Sequence, residues 1–249
     1  MPSSFWEIVK EVIIESDIIL EVLDARFVDQ TRNRELEAKI AQEKKALIFV
    51  INKCDLAEKN SLEMWKRKLK NSVFVSARDH LGTLILYKKI LSVANARFPN
   101  KEKVVIGVVG YPNTGKSSVI NALKGKHSAK TSPVSGFTRA KQLLKLSDKI
   151  YMLDTPGVFS YQEKDEVKLA LTASMDVHKL KDPEGAALEI LGMHPEIGEQ
   201  FNFEGDVEEV LAEFAKKWNQ LLKGGKPDTV SAAKRLLIEI QKGNIRIQG

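Results

Sequence analysis

The 249-residue sequence has a single cysteine, Cys54, so no intramolecular disulfide can brace it. No stretch reaches the roughly 18 consecutive apolar residues that a membrane-spanning helix needs. The opening residues, Met1-Pro2-Ser3-Ser4-Phe5-Trp6-Glu7, lack the basic-then-apolar order of a secretory signal. Together these absences point to a cytoplasmic protein without membrane contact. Histidine is scarce: His80, His127, His178 and His194 are the whole complement, and none falls in a catalytic pattern. Internal repeats and low-complexity segments are also missing.

What is present is an apolar content of 43%, enough for a substantial core. The length suits one α/β domain with a smaller companion. The net charge of +6 is unevenly spread. From Asp176 onward there are 10 Lys/Arg against 13 Asp/Glu, leaving 29 against 20 in the part before it. Between Asn121 and Lys149 the basic residues are Lys124, Lys126, Lys130, Arg139, Lys141, Lys145 and Lys149, opposed only by Asp148. Such a patch is either an ordinary solvated face or a surface for nucleic acid.

Apolar runs of strand length recur between helical patterns. Candidate strands are Asp17–Leu23, Ala46–Ile51, Val73–Ser76, Val104–Val109, Leu143–Leu146 and Ile150–Asp154. Candidate helices fall near Phe5–Glu15, Arg32–Glu43, Ser61–Leu69, Leu81–Ala96 and Gly115–Leu123. Apolar strands alternating with helices predict a mostly parallel sheet covered on both faces. After about Ser174 the strand signal stops. Pro183–Leu191 and Val207–Leu222 have helical patterns, and a last helix should follow Gly224-Gly225, capped by Asp228 or Thr229 and ended by Gly243. The expected organisation is therefore an α/β domain over residues 1–174 and an all-helical domain over 175–249.

Two constellations carry chemistry. The apolar run Val104–Val109 leads into Gly110-Tyr111-Pro112-Asn113-Thr114-Gly115-Lys116-Ser117-Ser118, a G-x-x-x-x-G-K-[ST] phosphate loop placed between a strand and a helix. Its glycines let backbone N–H groups turn toward phosphates, and the helix N-terminus adds positive potential. Lys116 is expected on the β- and γ-phosphates and the Ser117 hydroxyl on Mg²⁺. Downstream, Asp154-Thr155-Pro156-Gly157 closes another strand. Asp154 is expected to hold Mg²⁺ and the Gly157 N–H to sense the γ-phosphate. Between them lies Ser132–Arg139, where Thr138 is the candidate threonine for Mg²⁺ and γ-phosphate, with Thr131 as a competitor.

Phosphate contacts do not choose a base. That choice is expected from Asn52-Lys53-Cys54-Asp55, directly after the apolar run Ala46–Ile51. A carboxylate at Asp55 can accept from both N1–H and the exocyclic amine of guanine, donors that adenine does not place there. The Lys53 stem can lie along the base. Ser76-Ala77-Arg78 follows the next strand, and the Ala77 N–H is positioned for the guanine carbonyl.

These residues resemble the G-domain of translation-factor-class GTPases, in which the phosphate motifs precede the base motifs. Here the order is inverted, with 52–55 and 76–78 ahead of 110–118, 138 and 154–157. The chain is therefore similar to the circularly permuted GTPases of the YlqF/YawG class, which act in ribosome assembly. Asp24-Ala25-Arg26 and Arg32-Asn33 strengthen the likeness. The resemblance implies a permuted six-stranded P-loop G-domain with a small helical C-terminal domain that contacts RNA or the ribosome. It also implies GTP and GDP as ligands, Mg²⁺ as cofactor, and ribosomal RNA or the large ribosomal subunit as partner. Two other readings stay open: an RNA-binding scaffold gated by guanine nucleotide, and a regulator of a protein partner acting through Asp182–Glu213, which has ten Asp/Glu and no Lys/Arg. One position departs from the common pattern. The residue after Gly157 is Val158, where many GTPases carry a glutamine that orients water. In related GTPases an Asn at the place of Asn113 helps hold K⁺ near the β/γ bridge; the alternative for Asn113 is a loop-stabilising role.

Overall fold

A computed structural model describes residues 5–127, 142–154, 166–172 and 175–247. The chain divides into two compact units. The first takes Met1–Asp55 and Lys59–Tyr161; the second takes Leu56–Glu58 and Gln162–Gly249.

In the first unit the apolar runs become six strands: β1 (Ile18–Asp24), β2 (Ala46–Asn52), β3 (Ser72–Phe74), β4 (Val104–Val109), β5 (Gln142–Lys145) and β6 (Ile150–Asp154). They form one sheet in the order β3-β2-β1-β4-β6-β5. All neighbours are parallel except β5, which pairs antiparallel with β6. Every residue of the central strand β1 is buried, because helices cover both faces of the sheet.

The alternation of side chains along β1 sorts the two faces. Ile18, Leu20 and Val22 join one core with Leu86, Ile90 and Ala94 of α5 (Thr83–Arg97) and Val119, Ala122 and Leu123 of α6 (Lys116–His127). Ile19 points the other way, among Val9, Val12 and Ile13 of α1 (Phe5–Glu15) and Leu36 and Ile40 of α3 (Arg34–Gln42). The helix α1 approaches β4 closely at Gly107, where a Cβ would stand 2.4 Å from Ser16 Oγ and 2.7 Å from Val12 Cγ1. Helix α4 (Lys59–Lys68) buries Trp65.

The helix expected over Arg32–Glu43 is present as α3, and a short helix that was not expected precedes it. The short α2 (Val28–Thr31) ends at Arg32, whose backbone is extended. Helix α3 then starts afresh, with the Asn33 side chain accepting from the Leu36 N–H at 3.0 Å. A side-chain cap of this kind ends the competition between continuing and restarting a helix.

The described part of the second unit is helical: α7 (Glu166–Leu171), α8 (Pro183–Met193), α9 (Glu196–Glu199), α10 (Val207–Lys217) and α11 (Thr229–Lys242). Local chemistry sets the starts. Asp182 caps α8 with Pro183 in its first turn, and Asp206 and Glu209 form a reciprocal capping box on α10. Asp228, one of the two expected caps, accepts from Ser231 N–H at 3.0 Å, and Gly243 at φ 81° ends α11 as expected. Helix α10 stops at Lys217, short of the expected Leu222. The chain turns there and forms a small bridge, Leu221 to Pro227, around Gly224 and Gly225. The core of this unit joins Ala187, Ile190, Leu211, Phe214, Ala233, Leu236 and Leu237. Trp218 stacks on Phe214, and the Arg235 guanidinium lies 4.9 Å above the Trp218 ring.

Candidate nucleotide-binding site

The five parallel strands deliver their C-terminal ends to one edge of the sheet. Chain order runs outward from β1 to β3 on one side and from β4 to β6 on the other. The crevice between β1 and β4 is thus the topological switch point, where open α/β sheets place ligands. The glycine-rich segment after β4 lies at this crevice. Gly110, at φ 144°, comes so close to β1 that a Cβ would stand 2.3 Å from the Val22 carbonyl oxygen. No side chain is tolerated there.

The loop holds its own shape. The buried Thr114 donates from Oγ1 to the Tyr111 carbonyl at 2.9 Å. Lys116 Nζ donates to the same carbonyl at 2.6 Å. Burial pushes the Lys116 ammonium pKa down to about 8, so this cation is held under-solvated at the mouth of α6. Asn113 takes a left-handed backbone at φ 57°, and Ser117 and Ser118 are exposed in the first turn of α6. The N–H groups of that turn have no intrahelical partner.

The base motif is fastened to the phosphate loop by Asn52, the last residue of β2. Its Nδ2 donates to the Thr114 carbonyl at 2.9 Å, and its Oδ1 accepts from the Ala77 N–H at 3.1 Å. One buried amide therefore ties three loops, from residues 62 and 25 positions away in sequence. Gly115 makes room for it: at φ 90°, a Cβ there would stand 2.2 Å from Asn52 Nδ2. The Ala77 N–H, expected for guanine, is engaged with Asn52 in this arrangement.

Asp55 lies in the short turn Cys54–Leu56, and its Oδ2 accepts from Arg78 Nη2 at 3.1 Å. Arg78 is mostly exposed and also reaches Asp79. The Ser76 hydroxyl donates to Asp79 Oδ2 at 2.9 Å, which shapes the Ser76–Asp79 turn. Burial raises the Cys54 thiol pKa, with the Asp55 charge adding to the effect, so Cys54 is an unreactive filler of this loop. Lys53 has a left-handed backbone, φ 61°, and its Nζ donates to Asp24 Oδ2 at 2.8 Å. Asp24 ends β1 and is gripped by Arg26, whose Nε and Nη2 donate at 3.0 and 2.8 Å.

Asp154 ends β6, the neighbour of β4 in the sheet. Thr131, Thr138, Gly157 and Val158 lie outside the described residues. The sequence pattern singled out Asn52, Lys53 and Asp55 but not that Asn52 braces the phosphate loop. Nor did it show that Arg78 meets Asp55 or that Lys53 meets Asp24. These links span 62, 23 and 29 positions, and no local pattern in the sequence marks them.

Among the described residues no helix is long and apolar enough to cross a membrane. Residues 105–198 match the family described as 50S ribosome-binding GTPase. The chain is 42% identical over 247 residues to an uncharacterised GTP-binding protein of Methanocaldococcus jannaschii, covering 96% of this chain and 65% of that one. It is 35% identical over 254 residues to nucleolar GTP-binding protein 2 of Neurospora crassa, covering 96% of this chain and 40% of that one. The chain thus spans between about two fifths and just under two thirds of these relatives. Among solved structures, GDP-bound YlqF of T. maritima superposes with a TM-score of 0.72 at 26% identity, over 96% of each chain. Motifs after β2 and β3, motifs after β4 and on β6, and one sheet joining them in this inverted order give the chain a YlqF-like, circularly permuted GTPase architecture.

Proposed function

We propose that this chain binds GTP and GDP and hydrolyses GTP to GDP and phosphate as a nucleotide-dependent factor in assembly of the large ribosomal subunit. The observation that carries the nucleotide reading is the Asn52 amide. It fixes the phosphate loop and the two base loops at one crevice, so that a single ligand with phosphates at one end and guanine at the other would span them. Asn52, Lys53, Asp55, Ser76 and Ala77 would receive the base. Asn113, Thr114, Gly115, Lys116, Ser117 and Ser118 would receive the phosphates.

The reaction is in-line attack of water on the γ-phosphorus. The bond to the β,γ-bridging oxygen breaks, and GDP leaves as inorganic phosphate forms. Positioning and charge stabilisation do most of the work in such a transfer. Lys116 and the backbone N–H groups at the start of α6 would neutralise charge on the β- and γ-phosphates, with the Gly157 N–H and Thr138 closing on the γ-phosphate. The Mg²⁺ ligands would be Ser117, Thr138 and Asp154. Two positions support this reading: Ser117 is exposed in the first turn of α6, and Asp154 ends the strand beside β4. Oxygen donors of this kind suit a hard cation, which would supply positive charge to the phosphates. K⁺ beside Asn113 would add charge near the bridge. With Val158 in the place of a water-orienting glutamine, intrinsic turnover would be slow and a partner would supply the missing stabilisation.

The ribosomal part of the proposal is supported by the 50S-binding description that matches residues 105–198 and by the nucleolar name of a relative. The helical unit is a candidate surface for ribosomal RNA. Lys223 and Lys226 flank the Gly224-Gly225 turn, and Lys234 lies nearby in sequence on α11. The compartment would be the cytoplasm in a cell without a nucleolus. The test is GTP turnover with and without purified large ribosomal subunits, in K⁺ and in Na⁺. Turnover should rise with subunits and be faster in K⁺. Rates indifferent to both would leave a GTP-binding protein without this role.

A further inference from the structure

The Asp24 carboxylate is nearly inaccessible, at 1% exposure, yet takes four donors on two oxygens. Oδ1 accepts from the Arg26 backbone N–H at 3.1 Å and from Arg26 Nε at 3.0 Å. Oδ2 accepts from Arg26 Nη2 and from Lys53 Nζ, both at 2.8 Å. Burial alone would raise its pKa, but the hydrogen bonds and charge of Arg26, reinforced by Lys53, hold it below the ordinary value. Asp24 therefore stays ionised.

A buried ion cluster of this kind is poorly explained as a source of stability, since desolvation offsets much of the attraction and apolar residues of similar size often do as well. What it does provide is a fixed position for one flexible group. The surroundings are fixed too. Asp24 is the register partner of Asn52, the Ala25 N–H donates to the Asn52 carbonyl at 2.8 Å, and the Asp24 N–H donates to Thr31 Oγ1 at 3.1 Å. Lys53 leaves Asn52 in a left-handed conformation and spans from there to Asp24. With both ends of the side chain held, its methylene stem is fixed as well, and about a quarter of the side chain remains exposed. A lysine left free would sample many rotamers and lose them on binding a ligand.

We propose that Asp24, locked by Arg26, is a positioning residue for nucleotide binding: it tethers the Lys53 ammonium so that the lysine stem is pre-set as the wall on which the guanine base rests. This rests on the reading of Asn52–Asp55 as the guanine site and adds to it a tether from a separate strand. Asp24 and Arg26 touch no part of the nucleotide in this account. Their effect on affinity runs through Lys53.

The test uses the full chain, fluorescent GDP and stopped-flow dissociation, with inorganic tripolyphosphate as a competitor that engages the phosphate loop alone. Lys53→Met keeps the stem and removes the ammonium; Asp24→Asn removes the charge that holds it. Each should speed GDP dissociation on the order of five- to tenfold, the effect of freeing one rotamer-rich side chain, and leave tripolyphosphate affinity unchanged. The double variant should be no faster than either single one, because both cut the same tether. Should Asp24→Asn fail to fold once the Asp24–Arg26 ion pair is lost, Lys53→Met, which leaves that pair intact, decides the matter alone. GDP dissociation at the wild-type rate in Lys53→Met overturns the tether, and so do additive effects in the double variant or a parallel loss of tripolyphosphate binding. Asp55→Asn is measured alongside: if it retains full preference for guanine, the base-site reading fails and the tether falls with it.

Discussion

Lys116 shows how a single residue can be read from both sequence and structure. The phosphate-loop pattern fixes its identity, but its local state comes from burial, which lowers its pKa to about 8. Bound phosphates would raise that value again, so nucleotide binding above pH 8 must take up a proton. GDP affinity should be level below about pH 7 and weaken as pH rises through 8 toward 9, approaching tenfold per unit at the steepest. Titration calorimetry in buffers of different ionisation enthalpy would detect the proton, and a flat affinity from pH 7 to 9 would refute the shift. Glu21 has the opposite sign. It is buried at the middle of β1, one oxygen accepting from the Asn33 N–H at 3.0 Å while Oε2 has no partner. Burial chiefly, with the Glu37 charge adding to it, raises its pKa to about 8 against the Asn33 hydrogen bond and the Arg32 charge. The folded form thus holds a proton that the unfolded chain releases near pH 4.5. Stability should be fully present below that value and fall as pH rises toward 8, by at most about 1.4 kcal/mol per unit. Glu21→Gln should flatten this slope in urea titrations between pH 5 and 8; a slope equal to the wild type's would show that another group carries it. Nothing in the sequence marked Glu21, because one acidic residue within Ile18–Asp24 is a small deviation in an apolar run.

Among the elements, strands were the most legible. Apolar runs bounded by polar turns located all six to within about two residues, because a sheet covered on both faces demands continuous apolar stretches. Helix ends were less so. The start of α3 after Asn33 depends on one side chain choosing a backbone N–H, and the stop of α10 at Lys217 depends on Asn219 turning left-handed, φ 54°. Neither leaves a periodic signal. Close approaches are equally silent in sequence. Gly107 looks like any glycine in a strand, yet α1 rests on it. Gly107→Ala should cost about 1–3 kcal/mol, the usual penalty of overpacking, with the unfolding midpoint lowered. Val12→Ala in the same chain should return part of the loss; if it returns none, the crowding is elsewhere.

On the scale of the molecule, permutation has altered chain order and kept the strand arrangement around the crevice. Strands β2 and β3 bring the proposed base residues, β4 and β6 the proposed phosphate residues, and the β1–β4 pairing joins the halves where ligands bind such sheets. Motif content was readable from sequence because each motif is local. The joints between motifs were not, since Asn52 to Thr114, Asp55 to Arg78 and Lys53 to Asp24 are each made by tertiary folding.

The central claim is that this crevice selects guanine through Asp55, and the most direct measurement is the affinity of the wild-type chain and of Asp55→Asn for GDP, ADP and XDP. The wild type should prefer GDP to both others. Asp55→Asn should weaken GDP and strengthen XDP, whose ring offers an acceptor where guanine offers a donor, shifting the ratio by about ten- to a hundredfold or more, as expected for unpairing and re-pairing buried polar groups. Wild-type GDP affinity in Asp55→Asn, with XDP still rejected, would contradict the account.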